Sequence, residues 1–239
     1  MPDHRKHRGP HPQDTQLFAV EALADLQAAT MDLSWLQTKG YASTSALKLV
    51  GDRHRLNSRQ RVAVARCACG DKEILRRREH ELEAADLRGQ ELWIDGYNVL
   101  ITIEAALAGG VVLRARDGCY RDMASMHGSY RKVAETIPAI EILGEVLQQT
   151  AVESCHWLLD QPVSNSGRLR TKFLESAEAR GWNWSVELVP DPDVVLKRTD
   201  KIVVSSDSQI LDEAQRWFNL AKCAIDTRVD DVWILDLSR

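Results

Sequence analysis

Three short apolar runs in this chain climb to an aspartate: "ELWID" ends at Asp95, "CHWLLD" at Asp160 and "KIVVSSD" at Asp207. A fourth run, "WSVELVPDPD", lies between the second and the third, and "VWILDL" reads as a final strand. Helical text separates them: "VLITIEAALAGG", "SNSGRLRTKFLESAEARG" and "SQILDEAQRWFNLA". Strand-length runs alternating with helix-length stretches predict an α/β fold with a mostly parallel central sheet. In such a sheet ligands bind beyond the carboxyl ends of the strands. Asp95 followed by Gly96 is, taken alone, a strong turn signal. Three aspartates at equivalent strand ends instead predict a converging acid cluster.

Converging carboxylates repel one another unless protons or a cation neutralise them. Mg²⁺ or Mn²⁺ suits an all-oxygen site, and an acid cluster holding such an ion is equipped for phosphoryl-transfer hydrolysis. Asp95, Asp160 and Asp207 are the candidate catalytic and metal-binding residues, with Glu104, Asp117 and Asp122 as candidates to complete the shell. Asp193 and Asp212 lie along the same edge, and each alone reads as a surface acid. Asn98 reads as a helix cap or a support for the Asp95 carboxylate. His127 reads either as an acid or base or as a structural histidine. Beyond Asp160, Ser164, Asn165 and Ser166 precede a helix that carries Arg168 and Arg170 in its first turn. Ordinary N-capping and an anion site both fit. Cations oppose the helix dipole there, which favours a phosphate-facing role.

Ahead of Glu91 the text is helical. Residues 1–16 read as a flexible tail and 17–88 as a helical, partly basic module; 91–239 form the α/β domain. "LFAVEALADLQAATMDLSWLQ" is an amphipathic helix ended near Gly40, and Asn57-Ser58 caps "RQRVAVARCA". A charged run to Gly89 continues as a helix. From Asp52 to Arg78, nine lysines and arginines face three acids in a protein of net charge −4. A phosphate-binding face and a solvated helix surface both fit that surplus. On the first, Arg53, Arg55, Arg59, Arg61 and Arg66 are the candidate RNA contacts. Tyr97, Trp182 and Trp184 are candidate stacking platforms, with core packing the favoured reading for the two tryptophans.

Composition removes several classes. Five scattered cysteines argue against a disulfide framework and for a reducing, cytoplasmic setting. Cys67 and Cys69 are one residue apart, the wrong spacing for a zinc knuckle. No apolar run is long enough to span a bilayer, and the first residues lack the apolar segment of a secretory signal. Neither nucleotide-loop pattern, G-x-x-x-x-G-K-[ST] or G-x-G-x-x-G, occurs.

"IDGYNVL", "LLDQPVSNSG" and "VVSSDSQIL", in that order, resemble the NYN/YacP-like branch of the PIN-like nucleases over roughly residues 91–225. The resemblance implies a three-layer α/β/α PIN-like domain, here behind a small all-helical N-terminal domain, with strand-end acids binding Mg²⁺ or Mn²⁺ and RNA as substrate. By position, Asp95, Asp160 and Asp207 match that family's aspartates, Asp207 within its Ser/Thr-x-Asp motif, and Asn98 its signature asparagine; Asn98, Ser164, Asn165, Ser166, Arg168 and Ser206 are the candidate phosphate-binding residues. The insertion from Ala108 to Thr150 departs from the minimal pattern and leaves the fourth acid open. The whole chain also resembles prokaryotic proteins that join domain-of-unknown-function families 434 and 5616. Three functions fit: a metal-dependent ribonuclease, a non-catalytic RNA-binding protein, and a hydrolase of a small phosphorylated metabolite.

Overall fold

The computed structural model describes residues 7–124, 130 and 132–239; His127 lies outside them. The helical part comprises α1 (Asp14–Leu17), α2 (Val20–Thr38), α3 (Ser43–Arg53), α4 (Ser58–Cys67) and α5 (Asp71–His80). The chain then alternates: β1 (Glu91–Asp95), α6 (Gly96–Leu107), β2 (Val112–Arg114), β3 (Tyr120–Asp122), α7 (Thr136–Gln149), β4 (Ser154–Asp160), α8 (Ser166–Arg180) and β5 (Trp184–Val189). It closes with α9 (Pro192–Arg198), β6 (Ile202–Val204), α10 (Ser208–Leu211), α11 (Leu220–Arg228) and β7 (Ile234–Asp236).

β1, β4, β5 and β6 form a four-stranded sheet in the order β5-β4-β1-β6, parallel at every pairing. Strand side chains alternate between faces. Here both faces are buried: Leu92, Ile94, Trp157, Leu159, Ile202 and Val204 pack with α6, α7, α8 and α11, while Leu158, Val203 and Trp217 pack with α9 and α10. That explains why these strands read as continuous apolar runs. The strand order runs outward from β1 to β5 and then jumps back to β6 on the other side of β1. The carboxyl end of β1 therefore stands at the switch point, where an open α/β sheet leaves a crevice.

The inserted segment forms a second sheet, β3-β2-β7, in which β2 pairs antiparallel with β3 and parallel with β7. Gly118, at φ +83°, turns that hairpin. This sheet joins the two parts of the chain. Val111, Leu113, Leu235 and Leu237 share one apolar cluster with Leu26, Leu33, Val50 and Val64 of the helical part. The helices α2–α4 thus close their core only with strands from much later in sequence.

Two local readings differ from the outcome. The charged run does not continue as a helix to Gly89. α5 stops at His80 because the backbone beyond it is taken up by Trp217, whose N–H donates to the His80 carbonyl and whose own carbonyl accepts from Leu82 N–H. Of the stretch read as a tail, two side chains are anchored: Arg8 and Asp14 are both buried, and Asp14 accepts from Arg59 Nε at 2.5 Å and Nη2 at 2.8 Å. A buried acid and arginine pair across 45 residues was hidden from any local pattern. Asn57 does cap α4, in a reciprocal box with Gln60.

Candidate active site

Ile94 pairs with Trp157 on one side and Val204 on the other, so Asp95 leaves the sheet between Leu158 and Ser205. Its carboxylate is buried but accepts only two hydrogen bonds among the described residues, from Ser205 Oγ to Oδ2 at 2.9 Å and from Asn98 N–H to Oδ1 at 3.3 Å. The second makes Asp95 the N-cap of α6. Gly96 follows because no Cβ fits: one would lie 2.6 Å from the Leu159 side chain and 3.0 Å from the Leu158 carbonyl. Asn98 turns its side-chain oxygen to the other loop and accepts from Ser206 N–H and Oγ, both at 2.8 Å. Ser205 Oγ also accepts from Asp207 N–H at 3.0 Å. The turns after β1 and β6 are thereby held to each other, and Asp207 caps α10 through Gln209 and Ile210 N–H.

Asp160 ends β4 two residues beyond Leu158, the partner of Asp95. Asp207 lies two residues beyond Ser205 on the opposite flank. Asp160 stands roughly 7 Å further along its strand direction than Asp95, at about 3.3 Å per residue, whereas Asp207 lies in the turn beyond β6. A fourth acid joins from α9, which packs against β1, β4 and α10. This is Asp193, and its charge acts on Asp95 and Asp160 while that of Asp207 acts on it. Burial, reinforced by Asp193 and Asp160, pushes the Asp95 carboxyl up to about 7 against the pull of Ser205 and Asn98. Burial and neighbouring acids raise Asp160 and Asp193 as well. Among the described residues no three His, Cys, Asp or Glu side chains stand where one metal ion would meet them all. The convergence of Asp95, Asp160 and Asp207 expected from the sequence is thus not formed as a three-ligand set among the described residues.

Tyr97 borders the same edge. Its ring packs 5.3 Å from that of Tyr130, and its hydroxyl is buried with no hydrogen-bond partner among the described residues. Burial and then the Asp160 charge push its pKa up, so the phenol stays a neutral donor. The "GYN" text shows the tyrosine but not the burial of its hydroxyl.

Three candidate ligands are employed elsewhere. Glu104 is fully buried on α6 and accepts from Arg8 at 2.9 Å, Thr136 at 2.6 Å and Tyr130. Asp117 accepts from Arg77 at 2.6 Å, from both Nη atoms of Arg121 at 3.0 and 2.6 Å, and from Cys119 N–H. Asp122 accepts from Ala124 N–H at 2.6 Å and Thr102 Oγ1 at 3.4 Å, with Arg66 3.9 Å away. All three bind groups of the protein itself, and the acid that stands beside Asp95 and Asp160 is Asp193 instead.

The loop before α8 is tied to Tyr130. The Ser164 carbonyl accepts from Tyr130 N–H, and Asn165 Nδ2 donates to the Tyr130 carbonyl at 2.9 Å. Asn165 takes the left-handed conformation, φ 70°, and gives α8 no side-chain cap. Ser166 Oγ donates to the Gln161 carbonyl at 3.4 Å. Arg168 and Arg170 are exposed, with no ion pair among the described residues.

The basic segment is largely consumed internally. Arg53 pairs with Asp32, Arg59 with Asp14, Arg61 with Asp52 and the Leu56 carbonyl, and Arg66 faces Asp122 and the Ala124 carbonyl. Arg55 sits in the loop after α3 at φ 51°. Much of the charge surplus counted along the sequence is therefore matched, by Asp52 within the segment and by Asp14, Asp32, Asp117 and Asp122 from elsewhere in the chain.

Comparison with known proteins agrees with the two-part reading. Residues 84–223 match the family described as a domain of unknown function, DUF5616, and residues 25–80 match a protein of unknown function, DUF434. A protein of Methanocaldococcus jannaschii, described as uncharacterized, is 31% identical over 186 residues, covering 78% of this chain and 88% of that one. No solved structure matches the chain. No helix among the described residues is long and apolar enough to cross a membrane.

Proposed function

This chain belongs to the DUF5616 family, with a DUF434 segment ahead of that domain, and on that premise we propose that it is a divalent-metal-dependent ribonuclease of PIN-like, NYN/YacP-like type. One observation carries the reading. A buried carboxylate, Asp95, lies at the switch point of a parallel sheet beside two further acids, Asp160 and Asp193, and without a cationic partner among the described residues. Such a group is destabilised until a proton or a cation joins it.

The donor chemistry suits a hard cation, since every candidate ligand is a carboxylate oxygen. Asp95, Asp160 and Asp193 would hold Mg²⁺ or Mn²⁺, with Asp207 beside them, once their side chains rotate toward a common point. When bound, the ion would stabilise the attacking and leaving oxygens of a phosphodiester and lower the pKa of the attacking water. Asn98, Ser205 and Ser206 would keep the two turns in register. Tyr97 would offer a neutral hydrogen-bond donor at the edge of the site, and the exposed Arg168 and Arg170 would meet the RNA backbone.

Purified protein should cleave single-stranded RNA with Mn²⁺ or Mg²⁺, and EDTA and Asp95→Asn should each abolish cleavage. A second reading, a non-catalytic RNA-binding protein, draws on the absence of a preformed three-ligand set and on the use of Asp207 as a helix cap. RNA binding without cleavage under every metal would select it. Loss of neither cleavage nor metal affinity in Asp95→Asn protein would remove the metal-centred reading altogether.

A further inference from the structure

Alongside the acid edge runs a cavity of about 550 Å³ between the helical part and α10. Ser208 and Gln209, the first residues of the helix that Asp207 caps, form one wall. Tyr41 and Gln37 form the other, and Glu73 and Asp212 also face it. The volume lies in the range of small-molecule sites.

The lining selects by chemistry. Arg77 lines the cavity, but its guanidinium is buried and bound to Asp117 and Asp212, so it offers little to an anion. Glu73 and Asp212 make the walls rich in acceptors and poor in free positive charge. A phosphate is disfavoured there, and a neutral group bearing N–H donors is favoured. Tyr41 leaves 59% of its surface exposed, an open ring for stacking. Gln37 Oε1 is shielded from solvent without a hydrogen-bond partner among the described residues. That cost is relieved if the side chain turns to a donor in the cavity.

We propose that this cavity holds a nucleobase carrying an exocyclic amino group, stacked on Tyr41 and read by Gln37, from the RNA strand whose backbone crosses the acid edge at Asp207. The proposal deepens the ribonuclease reading and rests on it for the identity of the strand. Adenine and cytosine each present an amino donor where uracil presents a carbonyl acceptor. The cavity is thus a selector of amino-bearing bases placed beside the site of cleavage.

The test is fluorescence anisotropy of the full chain with labelled 12-nucleotide oligo(A), oligo(C) and oligo(U) in EDTA, where cleavage is silent. Oligo(A) and oligo(C) should bind about tenfold more tightly than oligo(U), the size of one matched hydrogen bond. Tyr41→Ala, a change at an exposed position, should weaken all three by about tenfold or more. Gln37→Met should remove the preference while leaving oligo(U) unchanged. Equal binding of the three oligonucleotides, no effect of either variant, or displacement of RNA by an arginine-rich peptide from wild-type but not Tyr41→Ala protein would each overturn the assignment. So would no binding at all. The ribonuclease reading is judged separately, by cleavage with Mn²⁺, so the two fail distinguishably.

Discussion

Asp95 and Asp117 are buried to a similar depth, 7% and 4% exposed, yet burial leaves them in opposite states. Burial alone would push both up. At Asp117 two guanidiniums, Arg121 and Arg77, overturn that push and hold the carboxyl at about 2. At Asp95 the neighbours are a serine hydroxyl, a backbone N–H and other acids, and the carboxyl rises to about 7. One site is electrostatically complete within the chain. The other is complete only with something added. The difference separates an acid that builds the fold from one that awaits a ligand, and depth of burial does not distinguish them.

The largest expected effect comes from breaking the complete site. Asp117→Asn leaves Arg77 and Arg121 buried without their shared counter-charge. Removing one partner of a buried ion pair costs roughly 3–5 kcal/mol. A fall of that size in urea-unfolding stability is expected, and a loss below 1 kcal/mol would refute the clamp.

The same amide substitution at Asp95 should act in the opposite direction. At pH 8 in EDTA, Asp95→Asn should raise stability by up to about 4 kcal/mol, since the folded state no longer carries a buried charge held against a raised pKa. The pH profiles carry the contrast further. Asp95 has a folded pKa of about 7, above its ordinary 3.8. Its contribution is full below pH 3.8 and is lost as pH rises through 7. Asp117 has a folded pKa of about 2, below the same ordinary value. Its contribution is full above pH 3.8 and is lost as pH falls toward 2. Chemical-denaturation midpoints of the two variants against wild type, read from pH 3 to 8, should therefore diverge at opposite ends. Slopes of the same sign would end the comparison.

Much of this was legible in the sequence, and what was missed has a common cause. Strand-end aspartates and the flanking helices are local patterns, so the mostly parallel sheet and the strand ends at Asp95 and Asp160 could be read directly, while the convergence of three acids on one point could not. The partners of Arg8, Arg77 and Asp14 lie 96, 40 and 45 residues away, and no local pattern encodes them. That is why Glu104 and Asp117 read as spare ligands and the basic segment as a free surface. Asp193 was visible only as one of two acids in "PDPD". Its place depends on α9 lying across the strand ends, a tertiary fact. The C-terminal strand was legible as a strand, but its pairing with β2 in a second sheet was not.

If Asp95 awaits a cation, adding one should erase part of its difference from Asp117. Mn²⁺ at a hundred times its dissociation constant should stabilise wild-type protein by about 2.7 kcal/mol through binding to the folded state alone. The gain should vanish in Asp95→Asn protein and be retained in any Asp117 variant that folds. An equal metal response in wild type and Asp95→Asn would place the ion elsewhere.

The smallest effects concern the basic segment, where the same distinction between satisfied and unsatisfied charge applies to cations. Arg61 is held by Asp52 and a backbone carbonyl at the surface, so Arg61→Ala should cost at most about 1 kcal/mol. Because its charge is already matched, it should also leave the salt dependence of RNA binding unchanged. Arg168 has no matching acid among the described residues and stands at the start of α8 near the acid edge. If it meets a phosphate, Arg168→Ala should lower the slope of log affinity against log salt by about 0.7, the share of one contact on a single strand. Anisotropy titrations between 50 and 300 mM KCl measure both (about a sixfold range in salt). A reduced slope for Arg61→Ala with none for Arg168→Ala would restore the helical segment as the RNA face. It would also show that an arginine's pairing within the chain is a poor guide to its role.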